Sequence, residues 1–197
     1  MKSIDIKGTV RNANGKKGAK EIRKEGFVPC NLYGEAKDEK GLPVAKSFAV
    51  KATDLRNLVY TPHIYSVNLN IDGEEHKAIM KELQFHPVSD QLLHIDFYEI
   101  NETKPIIMEV PIKLNGLAEG VRAGGKLAAN VRKLKVRAKY TQIPEHLDID
   151  VTNLGLGKTI KAGELNFEGL ELVTSPSVVV CQVKMTRSAI SAAAKAE

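Results

Sequence analysis

The sequence contains no tryptophan, and aromatic residues make up only 5% of its 197 positions. The 43% hydrophobic content must therefore be packed largely by Val, Ile and Leu, many of them β-branched, a composition that favours strands. Cysteine is almost as scarce. Cys30 and Cys181 lie far apart, which excludes a disulfide framework and makes a reducing cytoplasm the expected home. No run approaches the ~20 apolar residues of a transmembrane helix. Met1-Lys2-Ser3-Ile4-Asp5-Ile6-Lys7 alternates charged and apolar residues, so it lacks the apolar stretch of a signal peptide. No internal repeat is visible. None of His63, His76, His86, His94 and His146 pairs with Cys or another His at a zinc-like spacing, and no metal or cofactor is expected.

What the chain does have is local positive charge. Residues 1–28 hold 8 Lys/Arg against 3 Asp/Glu, a surplus equal to the +5 of the whole chain. Arg11, Lys16, Lys17, Lys20, Arg23 and Lys24 are threaded among Gly8, Gly15, Gly18 and Gly26. Cations beside small, close-approach residues suit a polyphosphate backbone. A solvated surface near a chain end would have the same composition.

The first half alternates. Strands are expected over 3–10, Pro29–Tyr33, Lys46–Val50, Ser66–Ile71, His76–Leu83 and His94–Ile100. Residues 18–25 read as a short helix stopped by Gly26, and 35–41 as a charged loop. Residues 53–59 read as a second short helix capped by Thr53. Asp72-Gly73 is a hairpin turn. Residues 101–105 end on Pro105 and form a fair junction. The second half is almost purely β in pattern. Strands are expected at Ile107–Leu114, Leu134–Tyr140, Leu147–Val151 and Val178–Val183, separated by Gly and Pro turns, as in a sandwich or partly open barrel. The expected architecture is mainly β with a few short helices. It comprises a small N-terminal β-barrel over 1–100, a linker over 101–105, a second all-β domain over 106–185, and a disordered or frayed tail over 186–197.

Two segments mimic phosphate-binding loops. Gly120-Val121-Arg122-Ala123-Gly124-Gly125-Lys126 is followed by Leu127, which cannot ligate Mg²⁺ as a hydroxyl would. Gly157-Lys158-Thr159 lacks the motif's first glycine, since Thr152 stands there. Both read as turns between short strands. His94 and Asp96 lie two apart on one strand and share a face. No nucleophile motif accompanies them, so they read either as donors and acceptors for a partner or as an exposed strand face. Lys133, Lys135, Arg137 and Lys139 form a cationic stripe opposite Leu134, Val136 and Ala138. That stripe fits a solvated edge or outer face, which also guards against sheet aggregation, better than it fits a secondary RNA contact.

Arg11, Gly15-Lys16-Lys17-Gly18-Ala19, Arg23-Lys24-Glu25-Gly26, Val28-Pro29 and Tyr33-Gly34 together resemble the N-terminal signature of the bacterial large ribosomal subunit protein 25 family. Lys81-Glu82-Leu83-Gln84-Phe85-His86-Pro87 with His94-Ile95-Asp96-Phe97 is similar to its second signature. Val110-Pro111-Ile112, Gly120 to Gly125 and Ile143-Pro144-Glu145-His146-Leu147 resemble the longer two-domain form, the general stress protein CTC type. The resemblance spans roughly residues 4–183.

It implies a non-enzymatic 5S rRNA-binding protein of the large subunit's central protuberance, cytoplasmic and ribosome-associated. The barrel would dock on the minor-groove side of loop E. The implied contacts are Arg11, Lys17, Lys20 and Arg23 on phosphates, Tyr33 on a sugar or through its hydroxyl, and Lys81 and His94 as donors to groove edges or 2′-hydroxyls. Asp96 would accept from a base amino group or 2′-hydroxyl, or orient a neighbouring cation. Neighbouring ribosomal proteins and 23S rRNA are the implied partners of the second domain. Two departures stand out: Glu21 interrupts the basic pair that the family carries after Gly-Ala, and Phe85 stands where a basic residue is common. The competing reading is a β-rich protein-interaction adaptor without specific RNA binding.

Overall fold

The computed structural model describes residues 2–11, 15–37, 43–101 and 103–186. The chain divides into two compact units, Met1–Glu102 and Thr103–Glu197. The first unit carries strands β1 (Lys2–Val10), β2 (Phe27–Lys37), β3 (Pro43–Lys51), β4 (Tyr65–Ile71), β5 (Glu74–Phe85) and β6 (Leu92–Glu99), with helices α1 (Lys16–Lys24) and α2 (Ala52–Val59).

The six strands close a barrel in the order β1-β3-β2-β6-β5-β4. Four junctions are antiparallel, and β2–β6 and β1–β4 are parallel. Closure leaves no free sheet edge. Alternation sorts the side chains. Val28, Cys30 and Leu32 of β2, Phe48 and Val50 of β3, Val67, Leu69 and Ile71 of β4, and Ile95 and Phe97 of β6 form the interior. Phe48 and Phe97 pack with ring centroids 5.8 Å apart. The residues between them, such as Asn31, Tyr33, His94 and Asp96, therefore face outward. Leu55 and Leu58 of α2 join the same core.

Local chemistry explains most boundaries. α1 stops at Gly26, whose φ of +83° suits glycine alone. Asp72 and Gly73, at φ +48° and +98°, make the tight turn between β4 and β5. Three expectations need correction. α2 starts one residue before Thr53, with Lys51 at its N-cap, and the Thr53 hydroxyl donates to its neighbour Asp54 rather than to the helix backbone. β2 runs on through Gly34 to Lys37, where a loop was expected from residue 35, because its pairing with β3 resumes at Lys37–Pro43 after an irregularity. β5 extends past Leu83 to Phe85, because Gln84 and Phe85 still pair with β6. The rest of the expected 35–41 loop and all but Thr186 of the expected tail fall outside the described residues.

The second unit contains β7 (Pro105–Asn115), α3 (Glu119–Arg122), β8 (Lys126–Ala129), β9 (Lys133–Lys139), β10 (Leu147–Asp150), β11 (Thr159–Lys161), β12 (Glu171–Leu172) and β13 (Val179–Lys184). These strands form a four-stranded sheet, β10-β7-β9-β12, and a three-stranded sheet, β11-β13-β8. The P-loop mimic from Gly120 is one short helical turn leading into β8, which pairs antiparallel with β13. A phosphate-binding loop needs a buried parallel strand before it and a long helix after it. Gly157-Lys158-Thr159 is likewise a turn entering the three-residue β11.

Candidate nucleic-acid interface

Strand register sets the candidate face. On the outer wall, Ser47 of β3 lies opposite Asn31 of β2, Asn31 opposite Asp96 of β6, and Asp96 opposite Glu82 of β5. Ser47 Oγ donates to Asn31 Oδ1 at 3.1 Å. A neighbouring row brings Tyr33 beside Tyr98, with ring centroids 5.8 Å apart and edge-on at 73°. His94 lies beside Gln84, one step along β6 from Asp96 on the same face.

Arg11 leaves β1 toward this wall, and its backbone N–H donates to the Ser47 carbonyl at 3.0 Å. Arg23, in the last turn of α1, donates from Nε to the Leu93 carbonyl at 3.0 Å. That bond ties the basic helix to the start of β6. Lys16, Lys17, Lys20 and Lys24 stay exposed on α1, while Gly18 is buried.

His94 is the electrostatic centre of the face. Its Nδ1 lies 3.5 Å from Asp96 Oδ1. Burial holds its pKa below the ordinary histidine value. Arg11 and Arg23 push in the same direction, and Asp96 and Glu82 act against them. Burial also raises the Tyr33 phenol, helped by the negative charges of Asp96 and Glu82 and by Tyr98. These influences weaken with distance, so Asp96 and Glu82, which act on both His94 and Tyr33, join the two in one constellation.

Arg11, Arg23, Tyr33, His94 and Asp96 thus gather on one wall. Lys81, exposed at the β5 irregularity between Met80 and Glu82, sits at its margin. Lys17 and Lys20 project from the helix and touch none of the wall residues through a bond among the described residues. Sequence reading missed Asn31, Ser47, Glu82 and Tyr98. Their place follows only from which strands are neighbours, although the period-two spacing of Asn31 and Tyr33, and of Asp96 and Tyr98, carried part of the signal. His86, also in the second signature, plays a local role: its Nδ1 accepts from the backbone N–H groups of Val88 at 3.3 Å and Ser89 at 3.2 Å, shaping the β5–β6 loop.

His76 is engaged in a separate polar cluster. Its Nδ1 meets Glu99 Oε1 at 2.8 Å, its Nε2 lies 3.3 Å from Lys46 Nζ, and Lys46 also bonds Glu74. Among the described residues no three His, Cys, Asp or Glu side chains are arranged to hold a metal. Cys30 is buried in the barrel, and burial pushes its thiol far above the range of a reactive thiolate.

The wall is a mixed one. It offers carboxylate, amide, imidazole and phenol groups, with cations at its border. Such a surface suits hydroxyls and base edges flanked by phosphates better than a plain polyanion.

Comparison with known proteins agrees with this partition. The model of the Ribosomal L25p family matches residues 6–97, and that of ribosomal protein TL5, C-terminal domain, matches residues 105–187. The large ribosomal subunit protein bL25 of Phocaeicola vulgatus is 65% identical over 196 residues, covering 100% of this chain and 99% of its own. The protein of the same name from Bacteroides thetaiotaomicron is 56% identical, covering 100% and 99%. That of Porphyromonas gingivalis is 52% identical, covering 99% of both. With matches of this identity along its whole length, the chain belongs to the Ribosomal L25p family, in the form that carries the TL5-type C-terminal domain.

Proposed function

We propose that this chain, a large-subunit ribosomal protein of the cytoplasm with no catalytic role, docks the outer wall of its N-terminal barrel on 5S rRNA. The preferred site is the minor-groove side of loop E. The observation that carries the reading is the convergence of Arg11 just past β1, Arg23 on α1, Tyr33 on β2, and His94 and Asp96 on β6 onto one wall. The A-form minor groove is wide and shallow and displays 2′-hydroxyls, so a sheet wall can read it by shape. The cations hold phosphates on either side and set the register. His94 and Asp96 then address hydroxyls and base edges. With Nδ1 toward Asp96, His94 presents Nε2 to the groove, where the imidazolium form favoured by flanking phosphates donates to a 2′-hydroxyl or groove edge.

Arg11, Lys17, Lys20 and Arg23 would neutralise about four phosphates, giving a log–log salt slope of roughly −3 to −4 by analogy with duplex DNA. The test is binding of the purified chain to 5S rRNA and to a loop E fragment, titrated in salt, beside Arg23→Ala and His94→Ala variants. Submicromolar, salt-sensitive binding that both variants weaken is the expected result. Equal affinity for the fragment and for a random RNA duplex would end the loop E reading and favour a protein-interaction adaptor.

A further inference from the structure

The second unit concentrates its positive charge on one strand. Residues 103–186 hold 12 Lys/Arg against 8 Asp/Glu, and five of those cations, with no acid, fall within residues 132–139. Along β9 exposure alternates strictly: Lys133, Lys135, Arg137 and Lys139 are exposed, while Leu134, Val136 and Ala138 are buried. Four cations therefore stand in one file, with a step of about 6.7 Å and a span of about 20 Å.

Guarding a sheet edge does not explain them. β9 lies inside its sheet, between β7 and β12. Its neighbours only partly neutralise the file. Lys135 Nζ lies 4.0 Å from Glu109, and Arg137 lies 3.6 Å from Glu171. Lys133 and Lys139 face Pro111 and Pro105 across the sheet. Among the described residues neither has a carboxylate within ion-pair distance.

We propose that the outward face of β9 is a second RNA-binding surface, which holds the phosphodiester backbone of one strand without reading its bases. The cation step is comparable to that between successive phosphates along a nucleic-acid strand, so neighbouring cations can serve neighbouring phosphates. A protein partner is less well suited. Protein contacts centre on apolar anchors, and among the described residues the one exposed large hydrophobic side chain beside β9 is Val173, whose N–H donates to the Lys135 carbonyl, with none on β7 or β9 themselves.

The test uses the full chain with the barrel wall disabled by Arg23→Ala and His94→Ala, with a fluorescent oligouridylate as probe. Salt-sensitive binding of the oligouridylate should persist in that variant. Adding Lys133→Gln and Lys139→Gln should make its log–log salt slope shallower by about 1.4, from ~0.7 per single-strand phosphate. In the otherwise unchanged protein, the same two lysine substitutions should leave the affinity for the loop E fragment intact, which separates this surface from the barrel reading. Unfolding temperature serves as the folding control, since both lysines are exposed. An unchanged slope and affinity for oligouridylate in a folded Lys133→Gln/Lys139→Gln protein would overturn the proposal, as would the absence of oligouridylate binding once the barrel wall is disabled.

Discussion

Arg23 Nε donates to the carbonyl oxygen of Leu93 at 3.0 Å, across 70 residues of sequence. The bond fastens the last turn of α1 to the strand that carries His94 and Asp96. Arginine suits this position because one N–H can anchor to backbone while the rest of the guanidinium fork stays available to an anion. Lysine, with a point charge at the end of a flexible stem, does both less well. One side chain thus links the basic helix to the wall beside it, and its charge reaches His94 as well.

Arg23→Ala should lower stability by about 1–2 kcal/mol, the range for a lost hydrogen bond from a charged group that remains partly solvated. It should also weaken RNA binding. Arg23→Lys should recover part of the binding and little of the anchoring. Urea unfolding together with hydrogen exchange of the amides of residues 16–24 separates the two effects. Unchanged exchange in Arg23→Ala would show that α1 is held by its other contacts.

His94 supplies a pH test. Its folded-state pKa lies below the ordinary histidine value of 6.5, chiefly through burial. The folded state therefore favours the neutral ring. Stability from this residue is complete above pH 6.5 and is lost as pH falls through the folded value. Phosphates brought beside it act in the opposite direction and raise its pKa. Binding to RNA should accordingly take up protons, and affinity should rise on moving from pH 7.5 toward pH 6. NMR titration of the His94 ring, free and in complex with the loop E fragment, checks both statements. A free-state value above that of an unperturbed histidine would contradict the burial argument, and an unshifted value in the complex would remove His94 from the interface.

The barrel strands were legible because alternation in residues such as Val67-Asn68-Leu69-Asn70-Ile71 survives closure of the sheet. Turns with a specific chemistry, Asp72-Gly73 and the Gly26 stop, were legible for the same local reason. β8, β11 and β12 were not seen. β11 and β12 span three and two residues, too few for a period, and the four residues of β8 do not alternate; all three are strands because β13 or β9 offers a partner. Thr53 misled because its hydroxyl found Asp54 before the helix backbone. For the candidate site, the cations and the His94–Asp96 pair could be picked out in the chain. Asn31, Ser47, Glu82 and Tyr98 could not, since their proximity depends on the β2–β3, β2–β6 and β5–β6 pairings, which no local pattern encodes.

Gly8 shows how little room the barrel leaves. A Cβ added there would lie 2.6 Å from Phe48 Cδ2. The Phe48 ring is fully buried against Phe97 and cannot swing away. Gly8→Ala should therefore destabilise the protein by about 1–3 kcal/mol, as overpacking does. The urea midpoint should fall with the slope m unchanged. A midpoint equal to that of the parent would mean that β1 moves to accommodate the methyl group.

Lys17 and Lys20 present the opposite case, charge with no packing role. Both are exposed on α1, and removing them leaves no buried group without a partner. Lys17→Gln/Lys20→Gln should shift thermal stability by no more than about 0.5 kcal/mol. If both meet phosphates of 5S rRNA, the log–log salt slope should become shallower by about 1.8, using ~0.9 per contact. Charge at a border weakens binding to matched and mismatched RNA alike, so the preference for loop E over a random duplex should survive. Loss of that preference with an unchanged slope would reverse the assignment, making the helix a reader of groove geometry and leaving Arg11 and Arg23 as the phosphate contacts.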